Sequence, residues 1–547
     1  MDEIAGIDVN ARLQTVRECI RLGDFTRALS TLLAAVVQGP GDFESYVLWG
    51  IIASNSGDST YARIAYLRSL RLEDSVAASV NLSQILCQQG DHHGALHFAF
   101  RAISREPASD PAALVAARVS LQLGQLALAR RWAAKCAVLE PNSAEHRAIV
   151  ATSLYREGIF DRALYLYEEI LDKKPIDQEI INNIAACLFK LGFARRAERF
   201  FLKSVIVAPN DVRGNLEAGC HYLRSGRLDA AEHHLDRSNR IDPEHPKNRW
   251  NLGLIQLGRG NFEHGWQLHE ARFDATVVDR LSDPRRFCRS VPKDRVLVWA
   301  EQGVGDEIMF GSMLGDFGKR VGKLLVQMDR RLIPLFRRSL PEEVEFVERG
   351  EQVEESRYDS HLAMGSLGLY ERPTLESFQG KGGRYLRADE ARVKRLRGLM
   401  GLRSGERAIG ISWRSSNAET GAMRSVGLRE LVEALRGEGV RLVNLQYGEV
   451  GAEIEGVYEE LGERVWACGE VDNREDLDGL AALIEACDEV VSIGNATAHL
   501  AGALGKRTRV LLPEAPSWRW LARDSHTLWY PHIRVIICGK LSAVLQT

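Results

Sequence analysis

The chain lacks most of the features that would classify it at a glance. Its nine cysteines are scattered singly, with no Cys-x-x-Cys and no spacing that suits a metal, so no metal site is expected. An odd, unpatterned set reads as reduced thiols rather than a disulfide framework, which points to a reducing compartment. No apolar run reaches eighteen residues, so no membrane-crossing helix is expected. The acidic start Met1-Asp2-Glu3-Ile4 has neither the basic nor the apolar region of a secretory signal. A cytoplasmic location is the expectation from these absences. Neither sign of charge dominates: 71 Lys+Arg against 74 Asp+Glu give a net charge of −3. That leaves no global attraction to nucleic acid or to a membrane surface. What remains is ordinary globular composition, 45% hydrophobic and 27% charged, over 547 residues, enough for two to four domains.

The first half is periodic. Glycines fall at Gly23, Gly57, Gly90, Gly124, Gly158, Gly192, Gly226 and Gly260, in steps of 34 residues with a single 33. Five residues after each stands a small residue: Ala28, Ala62, Ala95, Ala129, Ala163, Ala197, Ala231 and Gly265. Prolines follow in register at Pro107, Pro141, Pro175, Pro209 and Pro243. The glycine would end the first helix of a pair, the small residue would let the second helix cross it closely, and the proline would close the pair. This pattern resembles the tetratricopeptide repeat, with about eight copies over residues 10–275. Such arrays stack into a superhelix that binds a peptide or protein on its concave face. Asn182, Asn183, Asn215 and Asn251 recur near the starts of first helices, where asparagine amides can hold an extended acceptor peptide. The competing reading is that they are solvated or capping asparagines.

From Arg272 to Lys293 the period is lost, and Pro284 and Pro292 mark a connector. The expected division is a helical array over 1–279, a connector over 280–293, an N-terminal lobe over 294–388 and a C-terminal lobe over 389–547. In the first lobe, Val296-Leu297-Val298-Trp299-Ala300 reads as a strand buried on both faces. It runs into Glu301-Gln302-Gly303-Val304-Gly305-Asp306-Glu307, a loop whose two glycines suit a tight turn with φ > 0, and then into a helix. Further strands are expected at 323–328, 344–347 and 360–363, with a helix over 331–340, and a basic helix over 388–400 bridges to the second lobe. There the strands are 408–413, 441–445, 489–493 and 508–512, the last clear one, with helices over 476–486 and 498–504. Strands separated by helices argue for parallel βαβ units, whose ligands bind outside the carboxyl ends of the strands.

That rule places candidate site residues. Asp306 follows Gly303 and Gly305 at a helix N-terminus, where a carboxylate can take a proton from an acceptor hydroxyl. Arg414 and Arg424 flank the polar loop 415–423, and guanidinium groups suit a diphosphate. Gln446 ends a strand on the same edge. Asn495, Thr497 and His499 lie at another helix N-terminus, whose free N–H groups suit a phosphate. Asn495 also reads as a plain N-cap and His499 as a buried structural histidine. Asp472 and Asp476 read as caps. Trp518, Trp520, Trp529 and Tyr530 are expected to pack a closing helix across the lobes.

Taken together, the repeats followed by "VLVWAEQGVGDEIMF", "IGISWRSSN", "VNLQYGE", "DLDGLAALIEACDEVVSIGNATAHLAGALG" and "WYPHIRV" resemble bacterial repeat-fused glycosyltransferases. Their catalytic half is similar to the heptosyltransferases of glycosyltransferase family 9. The resemblance implies an α-helical TPR superhelix followed by an α/β GT-B fold of two Rossmann-like lobes. It also implies an inverting, metal-independent transfer from a nucleotide-sugar co-substrate, without a cofactor. It makes Asp306 the general base and assigns the turn from Asn495 to His499 to the donor site. Relatives commonly carry an aspartate where this chain has Gly494. The layout is similar to bacterial flagellin glycosyltransferases, which makes flagellin the candidate acceptor. The expected function is transfer of a sugar to Ser or Thr of a protein held by the repeats. The alternatives are a transferase acting on a glycan or lipid-linked sugar, and a non-catalytic scaffold with a degenerate transferase half, which Gly494 favours.

Overall fold

The computed structural model describes residues 9–36, 42–139, 143–275, 294–381, 383–415, 421–523 and 525–537. The connector expected at 280–293 lies outside them, as do Pro141, Gly382 and most of the loop 415–423. The chain separates into two compact units, Met1–Pro209 and Asn210–Thr547.

The first unit is six consecutive helix pairs, from Val9–Arg21 with Phe25–Val36 to Gln178–Lys190 with Ala194–Val207. The recurrent glycine does what the spacing predicts. At Gly158 the backbone takes φ 82°, a conformation that costs a side-chain-bearing residue about 1 kcal/mol. The amide of Ile159 then bonds back to the Leu154 carbonyl at 2.9 Å and that of Gly158 to Tyr155 at 3.1 Å. Together they satisfy carbonyls that the helix end leaves free. The alanines five residues on, such as Ala62, Ala95, Ala129, Ala163 and Ala197, have no exposed surface, so the paired helices cross on them. Aspartates cap second helices, Asp58 accepting from the Tyr61 amide at 3.1 Å and Asp91 from Gly94 at 2.9 Å.

The second unit opens with two more pairs of the same pattern, Val212–Arg224 with Leu228–Ile241 and Pro246–Arg259 with Phe262–His269. The packing boundary thus falls inside the helical array, whereas the loss of period in the sequence falls near residue 280. The last pair is fused into the α/β part. Trp266 is 1% exposed, donates its indole N–H to the Arg372 carbonyl at 2.8 Å and shares one apolar core with both lobes. At Gly265 an added Cβ would lie 2.9 Å from the Leu257 backbone nitrogen, so this crossing is tighter than an alanine allows.

Two sheets follow. The strands β1 (Arg295–Trp299), β2 (Lys323–Met328), β3 (Glu345–Glu348) and β4 (Ser360–Ala363) form a parallel sheet in the order β3-β2-β1-β4. The second sheet comprises β5 (Arg407–Ser412), β6 (Val440–Asn444), β7 (Val465–Trp466), β8 (Glu489–Ile493), β9 (Thr508–Leu512), β10 (Ala522–Arg523), β11 (His526–Thr527) and β12 (Ile533–Ile537), in the order β10-β11-β12-β9-β8-β5-β6-β7. It is parallel from β12 to β7, with β10 and β11 antiparallel at one edge. β12 pairs with β9 in parallel register, so Thr508–Leu512 is not the last strand. Trp529 and Tyr530 are buried just before it. The basic helix Glu390–Leu399 packs along the helix Leu477–Ala486, with Arg392 paired to Asp476. Asp476 caps that second helix, as expected, and Asp472 accepts the amides of Arg474 and Glu475.

Candidate functional site

The site grows from two helix N-termini that face each other. β1 is buried over Val296, Leu297 and Val298 and delivers the chain to the helix Val304–Gly311. Neither glycine of the loop takes positive φ: Gly303 is extended at φ −83° and Gly305 lies in the helix. The expected tight turn is therefore replaced by a close approach. A Cβ on Gly305 would stand 3.2 Å from the His499 ring and 3.6 Å from Ala496 Cα. β8 likewise delivers the chain to the helix Ala496–Ala503, and the two helices pack together at their starts.

Between them lies a cleft of about 460 Å³ lined by Gly303, Gly305, Asp306, Arg424, Gly494, Asn495 and His499, with Ser415, Tyr447, Leu512, Pro513, Ser517, Arg519 and Trp520 completing the wall. The structure thus brings together Gly303, Gly305, Asp306, Arg424, Asn495 and His499. Gln446, just beyond the end of β6, and Thr497, in the first turn of Ala496–Ala503, do not line the cleft. The Gln446 side-chain oxygen accepts from Ser412 Oγ at 3.0 Å, from the Trp413 amide at 2.9 Å and from the Arg414 amide at 2.7 Å. Thr497 is 1% exposed, its hydroxyl aimed at the Leu445 carbonyl. Arg414 is exposed and turns to the Glu449 carbonyl at 3.2 Å and to Glu453 at 3.7 Å.

The asparagines of the repeats are divided between the units. Asn182 and Asn183 are in the first, Asn182 buried at 3% and Asn183 half-buried. In the second, Asn215 is fully buried and bonds back to the Asp211 carbonyl at 2.8 Å, and Asn251 does the same to Lys247 at 2.7 Å.

The electrostatics of the cleft centre on a residue that the sequence does not single out. Arg519 donates its Nε to Asp306, its Nη2 to Gln302 Oε1 at 3.0 Å and its Nη1 to Ser517 Oγ at 3.5 Å, and its guanidinium lies 4.9 Å from the Trp518 ring. The side chains of Arg519 and Asp306 are 26% and 20% exposed, so the pair is half out of water. The only local signal is the triplet Trp518-Arg519-Trp520, because the pairing closes over 213 residues. Arg424 is partly buried, and that burial, with Arg519 of like sign close by, holds its pKa below the usual arginine value. Among the described residues it has no ion-pair partner. Arg424, Arg519 and Asp306 sum to +1.

His499 is neutral: burial pushes its pKa down to about 4, against the pull of Asp306. Its Nδ1 meets the Tyr530 hydroxyl at 3.1 Å and its ring stacks on Trp520 at 4.5 Å. Asn495 is the N-cap, its Oδ1 accepting the Ala498 amide at 3.2 Å while its Nδ2 donates to Ser412 Oγ at 2.8 Å. Glu307, next to Asp306, turns the other way. Burial pushes its carboxyl up to about 7, and it accepts from the Asp329 amide at 2.8 Å and from Arg349 at 3.3 Å. Gly494 has no room for a side chain, since a Cβ would lie 2.8 Å from both Leu512 and the Trp520 indole nitrogen.

The class these features define is a helical-repeat protein of the tetratricopeptide pattern carrying two parallel α/β layers with a charged cleft. No protein-family model matches the chain. It is 28% identical over 475 residues to protein FlbA of Caulobacter vibrioides, an alignment that covers 82% of this chain and 78% of that protein. Among solved structures it is similar to a tetratricopeptide repeat protein from Parabacteroides merdae, at 17% identity and TM-score 0.39 over 45% of this chain and 98% of the other. It is also similar to the Cut9–Hcn1 assembly of the APC/C, at 15% identity and TM-score 0.40 over 46% and 50%. A third is YrrB, described as a repeat protein with an unusual peptide-binding site, at 18% identity and TM-score 0.27 over 34% and 95%.

Proposed function

We propose that the chain is a GT-B glycosyltransferase that moves a sugar from a nucleotide-sugar donor to a Ser or Thr hydroxyl of a protein bound by its repeats. The single observation that carries this reading is the convergence of Asp306, Arg424, Arg519 and two helix N-termini on one cleft. Helix N-termini and arginines hold phosphate, and a lone carboxylate beside them can act as a base. In the proposed step the acceptor Oγ bonds to the anomeric carbon as the bond from that carbon to the diphosphate oxygen breaks, with inversion. Asp306 receives the hydroxyl proton. Arg424, Arg519 and the N–H groups at the start of Ala496–Ala503 stabilise the departing diphosphate. His499, neutral at working pH, presents its ring edge rather than a charge.

Asp306 is bound by Arg519 in this state, so a nucleoside diphosphate that draws the guanidinium away would free the base. The Gly494 departure is accounted for locally: Trp520 and Leu512 occupy the space that a carboxylate would need. The acceptor rests only on the resemblance of the layout to bacterial flagellin glycosyltransferases, which makes flagellin the first candidate. The reading is tested by incubating the full chain and a captured acceptor with a panel of nucleotide sugars and weighing the acceptor intact. One added sugar mass with the native chain, and none with Asp306→Asn, is the expected result. A glycan product with an unchanged acceptor mass would favour the glycan-directed alternative. Retention of the acceptor without any transfer would favour a scaffold, the reading that Gly494 favours in the sequence.

A further inference from the structure

Three potential ligand atoms meet inside the first unit, well away in sequence from the cleft. Asp110 is the first residue of the helix Asp110–Gln122, Cys136 lies in the last turn of Leu126–Leu139, and His146 lies in the first turn of Ala144–Arg156. One ligand atom from each lies within 4.8 Å of the other two. Cys136 has no exposed surface and His146 has 1%. His146 Nε2 stands 3.5 Å from Asp110 Oδ1, and the Cys136 sulfur stands 3.9 Å from the Asp110 carbonyl oxygen. Two polar atoms of this cluster, Asp110 Oδ1 and His146 Nδ1, are buried with no hydrogen-bond partner among the described residues. A buried carboxylate oxygen facing an imidazole without a proper hydrogen bond is a costly arrangement unless something else satisfies it.

We propose that Asp110, Cys136 and His146 form a binding site for a thiophilic divalent cation of the zinc class. The donor set is one sulfur, one nitrogen and one oxygen, each a usual zinc ligand, and three protein ligands leave a fourth position for water. A tetrahedral ion with bonds of about 2.0 to 2.3 Å holds its ligands roughly 3.3 to 3.6 Å apart. The observed 3.5 Å between His146 Nε2 and Asp110 Oδ1 already fits, and the sulfur has at most about 1 Å to travel. The charges balance as well: the cation replaces the thiol proton, which leaves to solvent, and the thiolate and carboxylate together neutralise two positive charges. The ion would tie a helix of one repeat to both helices flanking its end, clasping the middle of the array. Sequence spacing hides the site, because its ligands are 26 and 10 residues apart on three different helices.

The test uses the full chain, stripped with a chelator and titrated with cobalt(II), then with zinc. The expected result is one cobalt per chain, tetrahedral d–d bands, a thiolate-to-cobalt charge-transfer band in the near ultraviolet and displacement by one zinc. Cys136→Ala should lose the charge-transfer band and His146→Asn should weaken zinc binding at least tenfold, with far-ultraviolet circular dichroism and chelator-treated melting unchanged in both. Zinc should raise the melting temperature of the native chain and of neither variant. A charge-transfer band that persists in Cys136→Ala, or zinc retention no greater in the native chain than in His146→Asn, would overturn the assignment.

Discussion

Asp306→Asn separates the two tasks assigned to the cleft, because the two should respond in opposite directions. The carboxylate is the partner of Arg519, and both side chains are about a quarter exposed. An ion pair this accessible is worth roughly 1 kcal/mol rather than the several of a buried one. A diphosphate that recruits Arg519 must first break that pair and then lie beside the remaining negative charge. Replacing the carboxylate with an amide of the same shape removes both costs. Binding of the matching nucleoside diphosphate should therefore tighten by about 1 kcal/mol, or roughly fivefold in Kd. Sugar transfer should fall by at least a hundredfold, the usual scale for losing a general base. Arg519→Met gives the opposite sign: it forfeits a charged hydrogen-bond donor worth about 1.5 to 3 kcal/mol, so binding should weaken about ten- to a hundredfold. Isothermal titration with a panel of nucleoside diphosphates at fixed ionic strength reads both variants, and intact-mass transfer assays read the chemistry. If Asp306→Asn bound diphosphate more weakly than the native chain, or transferred at near-native rate, the assignment of base and phosphate ligands would be wrong.

Four further outcomes follow from particular contacts. His499 has a folded-state pKa near 4 against an ordinary 6.5, so the unfolded chain binds the extra proton first as pH falls; this group's contribution is present above about pH 6.5 and is lost between there and pH 4, about 2 kcal/mol by pH 5, and His499→Gln should flatten the denaturant-midpoint difference between pH 8 and pH 5. Gly494→Asp should lower the melting temperature, because its Cβ would meet Trp520 and Leu512, and it should lower it less in a Trp520→Ala background, a coupling that a double-mutant cycle of thermal melts can score. Gly158→Ala should destabilise the first unit by about 1 kcal/mol in chemical denaturation, since φ 82° strains any Cβ, whereas Ala at exposed Lys174 should do almost nothing. Trp266→Ala should cost about 3 to 5 kcal/mol and also weaken diphosphate binding, a coupled loss that a merely remote cavity would not give.

The helical array was legible because its period is long and its marks are physical. Gly158 needs a left-handed backbone and Ala163 needs to disappear between helices, and both demands recur in each repeat. β1, β8 and β9 were legible as apolar runs. β12 was not, since Arg534 breaks its apolar run and buried aromatics precede it. The helices Leu428–Leu435 and Gly451–Leu461 also went unread. In the cleft, the strand-end rule identified the right edge, and Asp306, Asn495 and His499 line the space between the helix starts. The rule cannot tell which way a side chain turns. Gln446 and Thr497 stand on that edge and spend their polar atoms on backbone, and Arg414 turns to Glu453. Arg519 was missed, and Trp520 was read only as packing, for a different reason: a loop brings them in from far along the chain.

That loop explains why the last repeats belong with the cleft. Between β9 and β10 the chain runs through Ala515, Trp518 and Leu521, and each rests on a repeat helix or its end. A Cβ on Gly226 would lie 2.7 Å from Ala515 Cβ, one on Gly258 3.8 Å from Trp518 Cβ, and one on Gly260 3.7 Å from Leu521. Trp518 meets Trp266 edge to face at 5.5 Å. The same short turn holds Arg519 against Asp306 and Trp520 against His499. Trp518 and Trp520 flank Arg519 and are 6% and 3% exposed, so the guanidinium is aimed by the packing on either side of it. The helices of repeats seven and eight are therefore more than a tether for an acceptor. They form one wall of the support that sets the distance between Asp306 and Arg519, and a shift of the helix Phe262–His269 would be felt at Arg519 through the contacts of Trp266 and His269 with Trp518.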